Sequence, residues 1–254
     1  MRTLTQSRLH IILNGIQHTI SVVEAATLLD LPQKETAKLL ARWTGKGWLL
    51  RIKRGLYALA SFNECSSDFG EKNQWALAEK LYSPCYIGAL SAAQYWGLTK
   101  QILSTISVLT IQKPRNHNLV INESHFSLRI ISQQAMFGLR PVWHEQIKVL
   151  VSDPTRTILD FLVDPKLGGG IGNVTDMFIN YLKSEHKNLM LLFDYSRRLC
   201  NGAVFKRLGY LLERYEPMEV GIIGGCKIRI PSGYIKLNPQ LSADKLITRW
   251  GLWV

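Results

Sequence analysis

Nowhere does the 254-residue sequence hold the roughly 20 consecutive uncharged apolar residues that a membrane span needs. Its opening, MRTLTQSRLH, lacks the apolar segment of a signal peptide. A soluble cytoplasmic protein without a membrane partner is expected. Cysteine is scarce. Cys65, Cys85, Cys200 and Cys226 lie at least 20 residues apart, form no C-x-x-C pair and have no local histidine partner. That spacing excludes the common zinc and redox motifs and leaves them as buried thiols. Acidic residues are few as well, 19 against 31 Lys and Arg.

The resulting net charge of +12, with a pI near 9.6, suits a polyanionic partner. Hydrophobic residues make up 46%, and a chain of this length can bury one large core or two ordinary ones. The charge is unevenly spread. Residues 1–60 hold nine bases (Arg2, Arg8, Lys34, Lys38, Arg42, Lys46, Arg51, Lys53 and Arg54) against three acids (Glu24, Asp30 and Glu35), a net of +6. The rest of the chain, more than three times as long, carries only the same excess.

QSRLHIILNG has the apolar spacing of a short helix stopped by Asn14-Gly15. SVVEAATLLDL opens with Ser21 and Glu24 at capping-box spacing, which starts a second helix at Val22. Pro32 then suits the first turn of a third, QKETAKLLARWTGKG, which ends at its glycines. Ala37, Leu40, Ala41 and Trp43 supply its core face, and Lys34, Lys38 and Arg42, four apart, form one positive stripe. Such a stripe is either a solvated face or a row that phosphates neutralise.

The peptide GWLLRIKRGLYALA follows, reading as strands Trp48–Ile52 and Leu56–Ala60 around a turn at Lys53, Arg54 and Gly55. Three helices and a basic hairpin are the order of a winged helix-turn-helix. In that arrangement Gln33, Lys34, Thr36 and Lys38 stand near base edges, while Arg42, Arg51, Lys53 and Arg54 contact phosphates. The alternative for the hairpin is a solubilising edge-strand tip.

Polar, serine-rich SFNECSSDFGEKN marks a linker. The expected fold class is α+β, a winged helix-turn-helix over residues 1–66 and a larger mixed α/β domain over 67–254. In the latter, helix NQWALAEKLY, strand CYIG and helix ALSAAQYWGLT precede three strands, TISVLTIQK, FSLRIISQ and IKVLVSD. Helices DPTRTILDFLVD, NVTDMFINYLKS, NLMLLFDYSRRLC and AVFKRLGYLLERYE follow, and GCKIRI with GYIKLN forms a β tail.

Catalytic chemistry finds no cluster, and no catalytic residue, metal or cofactor is expected. Asp153 before Pro154 reads as a helix cap. Asp160 and Asp164 could share a metal but lack a third ligand, so a solvated acidic face is the simpler reading. His144-Glu145 belongs to no paired-histidine motif and reads as a surface loop. LGGGIGN, residues 167–173, lacks the Lys-Ser/Thr of a phosphate loop and reads as a flexible joint. Arg197, Arg198, Lys206, Arg207 and Arg214 border an apolar stripe of Phe205, Leu208, Leu211 and Leu212. They form either a docking face or the basic outer side of an amphipathic helix.

The segments KGWLLRIKRGLYAL, YIGALSAAQYWGLTKQ, VSDPTRTILDFL, FKRLGYLLE and YIKLNP occur in the order seen in AbiE-type (AbiEi) antitoxins, which the chain resembles over nearly its whole length. The resemblance implies a non-enzymatic antitoxin of a phage-defence (abortive infection) toxin–antitoxin operon. Its N-terminal winged helix would repress that operon at inverted repeats in promoter DNA, and its C-terminal domain would neutralise a nucleotidyltransferase-like toxin. It carries DNA contact to Lys34, Lys38, Arg42, Arg51, Lys53 and Arg54. Arg197, Arg198, Lys206 and Arg207 are assigned to neutralisation by charge alone. A monomer in solution with two copies on DNA is expected. A stand-alone regulator with a ligand-sensing C-terminal domain and a DNA-modifying enzyme with a winged-helix targeting domain are the rival readings.

Overall fold

Ser21 ends one strand and caps the helix that follows. In the computed structural model, which describes residues 8, 11–12, 19–59, 71–114, 116–121, 124–144 and 147–254, the Ser21 hydroxyl accepts from the Glu24 N–H at 3.1 Å, and the Glu24 carboxylate accepts from the Ser21 N–H at 2.8 Å. This reciprocal capping box separates β1 (Thr19–Ser21) from α1 (Val22–Leu29). Most of the first expected helix, the linker at 61–70, Arg2, Cys65 and Glu145 lie outside the described residues.

The chain divides into two compact units, Met1–Leu77 and Ala78–Val254. In the first, α2 (Gln33–Gly45) follows α1, and strands β2 (Leu49–Lys53) and β3 (Leu56–Leu59) form a hairpin. β3 is central in an antiparallel sheet ordered β1-β3-β2. The core face of α2 is Thr36, Leu39, Leu40 and Trp43, a helical i, i+3, i+4, i+7 set. Of the expected core residues Ala37 is half-buried and Ala41 exposed. The larger Leu39 fills the place assigned to the alanines, since it buries more apolar area.

The second unit is built on a six-stranded mixed sheet. α3 (Glu71–Tyr82) spans the division between the units and leads to β4 (Cys85–Ile87) and α4 (Ala89–Tyr95). β5 (Thr105–Thr110), β6 (Asn118–Ile121), β7 (Ser124–Ile130), β8 (Leu139–His144) and β9 (Ile147–Ser152) complete the order β6-β7-β5-β4-β9-β8. β5 runs parallel to β7, and β4 to β9; the remaining pairs are antiparallel. β6 and β8 are additions to the expected three-strand group. Both are edge strands, where β8 can hold Pro141 without losing a central ladder bond.

Five helices follow, α5 (Pro154–Val163), α6 (Ile171–Lys183), α7 (Leu189–Leu199), α8 (Gly202–Tyr215) and α9 (Val220–Arg229). α5 is buried continuously from Pro154 to Leu162, and Ile158, Phe161, Phe178, Leu208 and Leu212 gather around it. The Asp153 carboxylate caps it, accepting from the Arg156 N–H at 2.7 Å. Glycines 168–170 form a tight joint. Gly168 lies against Val174 and Met177, and Gly169 and Gly170 take φ of +77° and +106°. GCKIR belongs to α9 with Ile230 as its C-cap, which corrects that half of the expected β tail, whereas GYIKLN holds a strand as expected. Ile222, Ile223 and Cys226 are buried on one helical face of α9, so tertiary packing overrides the β-prone composition. The final sheet pairs β10 (Ile235–Lys236) and β11 (Leu246–Ile247) with β12 (Leu252–Trp253).

Candidate nucleic-acid interface

The face of α2 opposite Leu39, Leu40 and Trp43 carries Gln33, Lys34, Lys38 and Arg42, all exposed. The three cations follow at four-residue steps along one line. Ala37 and Ala41 lie beside them and leave the helix surface low. The first turn adds backbone donors. Pro32 provides no side-chain cap, and the N–H groups of Gln33 and Lys34 precede the first intrahelical bonds, which run from Glu35 and Thr36 to the Pro32 carbonyl. A helix start with free N–H groups and an adjacent lysine attracts anions.

Thr36 is corrected. It is fully buried, and its hydroxyl donates to the Pro32 carbonyl at 3.1 Å. That side chain packs the core and presents nothing to a base.

In the hairpin, Lys53 pairs with Leu56, so the turn consists of Arg54 and Gly55 alone. Gly55 has φ of +81°, the left-handed region that glycine enters without steric cost. Its carbonyl accepts from the Val22 N–H at 2.9 Å, which fixes the tip to the start of α1. Arg51 and Arg54 are exposed. The Lys53 side chain lies outside the described residues.

Lys46 and Trp48 are additional candidates. The Lys46 ammonium sits 4.8 Å from the centre of the half-exposed Trp48 ring, between α2 and β2. An exposed aromatic ring beside a cation can stack on sugar or base. The available signal was tryptophan in a glycine-bounded basic loop, GKGW.

The C-terminal candidates separate. Arg197 and Arg198 are exposed, the first paired with Asp194 at 3.3 Å and the second lying over the Phe137 ring at 4.2 Å. Lys206 and Arg207 are only 1% and 4% exposed. Lys206 donates to the Gly233 carbonyl at 2.5 Å, and Arg207 to the Leu162, Val163 and Lys236 carbonyls at 2.8–3.3 Å. Both are removed from the docking face because their charges are spent holding the fold.

Asp160 likewise departs from the expected solvated face. It is 2% exposed and accepts from Arg156 Nε at 3.0 Å and from the Tyr86 hydroxyl at 3.1 Å. Burial pushes its carboxyl above the usual range, opposed by the Arg156 charge. Asp164 pairs with Arg129 and accepts from the Lys166 N–H. Cys85 and Cys226 are buried as expected, whereas Cys200 is exposed in a left-handed cap after α7. His144 ends β8, with its side chain outside the described residues. Among the described residues, no three His, Cys, Asp or Glu side chains gather as a metal site, and no helix is long and apolar enough to cross a membrane.

Residues 13–60 match the model of a family described as "Transcriptional regulator, AbiEi antitoxin". The matched segment contains α1, α2 and the hairpin, and it supports a regulatory role in a toxin–antitoxin setting. No curated protein matches the chain.

Proposed function

We propose that the first unit is a winged helix-turn-helix that binds double-stranded promoter DNA at inverted repeats, two copies per site. The whole chain then acts as the cytoplasmic antitoxin and autoregulatory repressor of a phage-defence toxin–antitoxin operon. Gln33, Lys34 and Lys38 stand near base edges. Arg42, Arg51, Lys53 and Arg54 contact phosphates. The second unit neutralises a nucleotidyltransferase-like toxin, with Arg197 and Arg198 as the remaining candidates on its surface. The reading assigns no catalytic role.

The observation that carries it is the exposed line of Lys34, Lys38 and Arg42 on a helix whose other face is buried. Like charges four apart destabilise a helix by about 0.2–0.5 kcal/mol per pair. Phosphates along a groove reverse the sign of that term.

The test measures binding of the full chain to DNA upstream of its own coding sequence at several salt concentrations. For the wild type, log affinity falls linearly with log salt. Lys34→Ala, Lys38→Ala and Arg42→Ala combined should flatten the slope by about 0.9 for each phosphate that is no longer neutralised. An unchanged slope in a folded triple variant would remove α2 from the interface.

A further inference from the structure

A pocket of about 270 Å³ opens in the second unit beside β5, β7, α5 and the turn joining α7 to α8. Ligand pockets for drug-sized molecules run from roughly 300 to 1,000 Å³, so this one has the size for a small metabolite. Leu109, Ile131, Val163 and Leu199 give it apolar walls. Among these walls stand two cations and two anions, Arg129, Arg156, Asp160 and Asp164.

Its inner pair has hydrogen-bonding capacity to spare. The Arg156 guanidinium donates from Nε to Asp160, from one terminal nitrogen to the Tyr86 hydroxyl at 3.0 Å, and from the other to the Phe137 carbonyl at 3.4 Å. Five N–H groups are available on a guanidinium, so two have no acceptor among the described residues. Among the described residues, Asp160 receives donors from Arg156 and Tyr86, whereas a carboxylate offers about four acceptor positions. These two side chains are almost wholly buried, where unused polar capacity is costly.

The outer pair is exchangeable. Arg129, half-exposed on β7, pairs with Asp164 at the end of α5. The Arg129 side chain is 51% exposed and that of Asp164 13%, so a ligand can reach the pair from the arginine side. Beside them, Asn201 uses its side-chain oxygen to cap the Ala203 N–H at 2.9 Å, and its amide N–H groups have no acceptor among the described residues.

We propose that this pocket binds a small zwitterion of the α-amino-acid class, its carboxylate on Arg129 and Asn201, its ammonium on Asp164 and Asp160, and its side chain against the apolar wall. A simple cation held by Asp164 would leave Arg129 without its partner, and a simple anion held by Arg129 would leave Asp164 without its own, while Arg156 and Asp160 remain paired. A dipolar molecule exchanges the Arg129–Asp164 contact for two new ones and leaves charge balanced. The site is independent of the DNA-binding reading.

Calorimetric titration of the full chain with each standard L-amino acid tests this. At least one should bind with a dissociation constant of about 1 mM or below. It should bind at least tenfold more tightly than the matching amine without the carboxylate and the matching acid without the amine. Arg129→Gln with Asp164→Asn should weaken binding at least tenfold; Asn keeps a capping oxygen for the Lys166 N–H. Ala135→Leu, which adds volume to the pocket wall and leaves all four charges, should abolish it. Failure of every amino acid to bind, equal binding of the lone amine or acid, or undiminished binding by Ala135→Leu would each overturn the proposal.

Discussion

Arg207 on α8 donates to the Leu162 carbonyl at 2.8 Å and to the Val163 carbonyl at 3.3 Å, joining its charge to the closing turn of α5. A second guanidinium nitrogen reaches the Lys236 carbonyl of β10 at 3.2 Å. One side chain thus holds three segments, and it does so where the α5 carbonyls carry the negative end of the helix dipole.

Removing it leaves buried carbonyls without donors, so Arg207→Ala should lower the unfolding free energy by about 3 kcal/mol. Arg207→Lys should recover little, because an ammonium lacks the fork that reaches both α5 and β10. Arg197→Ala, on an exposed face, should stay within about 0.5 kcal/mol of wild type. Urea unfolding of the three variants checks the order. Equal effects would return Arg207 to the surface.

Asp160 tests the buried pair in the same way. With Asp160→Ala, Arg156 remains buried and its charge uncompensated, an arrangement that costs about 3–5 kcal/mol. Tyr86→Phe removes only one hydroxyl from the same cluster and should cost about 1–2 kcal/mol. Denaturant midpoints at constant slope measure both. A loss below about 1 kcal/mol for Asp160→Ala would mean that water reaches Arg156.

What was legible in the sequence follows from the range of the interactions. The capping box at Ser21 and Glu24, the Asp153 cap and the basic stripe of α2 depend on neighbours within four residues, and spacing alone reveals them. Asp160, Lys206 and Arg207 differ from their sequence expectation because their environments are made elsewhere. Asp160 meets Tyr86 from β4, and Lys206 and Arg207 meet Gly233 and Lys236 from the C-terminal segment. A polar side chain beside an apolar stripe looks the same in sequence whether solvent or a later strand covers it. α9 departs from its β-prone composition for a related reason: Ile222, Ile223 and Cys226 bury together.

Thiol reactivity should divide the cysteines. Burial pushes the Cys226 thiol up to about 12, against a smaller opposing effect of Arg229. Cys85 is also pushed up by burial, with Glu79 adding to the shift. In a Cys65→Ser background at pH 8, a thiol reagent should modify exposed Cys200 rapidly and the other two only on unfolding. Because the folded value of Cys226 is the higher one, its contribution to stability is complete below the ordinary value of 9.0 and is lost as pH rises through about 12. Rapid labelling of Cys226 in folded protein would contradict its burial.

The glycines of α8 and α9 should respond to alanine with opposite signs. In a helix interior, Gly→Ala ordinarily stabilises by about 0.5–1 kcal/mol, because the unfolded chain loses freedom and the helix gains propensity. At Gly224 a new Cβ meets nothing within 4 Å, so Gly224→Ala should follow that rule. At Gly209 the same atom would stand 2.1 Å from the Trp250 ring, and at Gly225 it would stand 2.6 Å from the Phe193 ring. Trp250 is fully buried and cannot move outward without opening the core. Overpacking typically costs about 1–3 kcal/mol, which exceeds the propensity gain, so Gly209→Ala should be destabilising. Gly225→Ala should cost less, since Phe193 is only partly buried and can turn toward solvent. Thermal melts of the three single variants give the signs directly. If Gly209→Ala melted above wild type, the close packing of α8 against Trp250 would be wrong, and with it the placement of the C-terminal segment that buries Lys206 and Arg207.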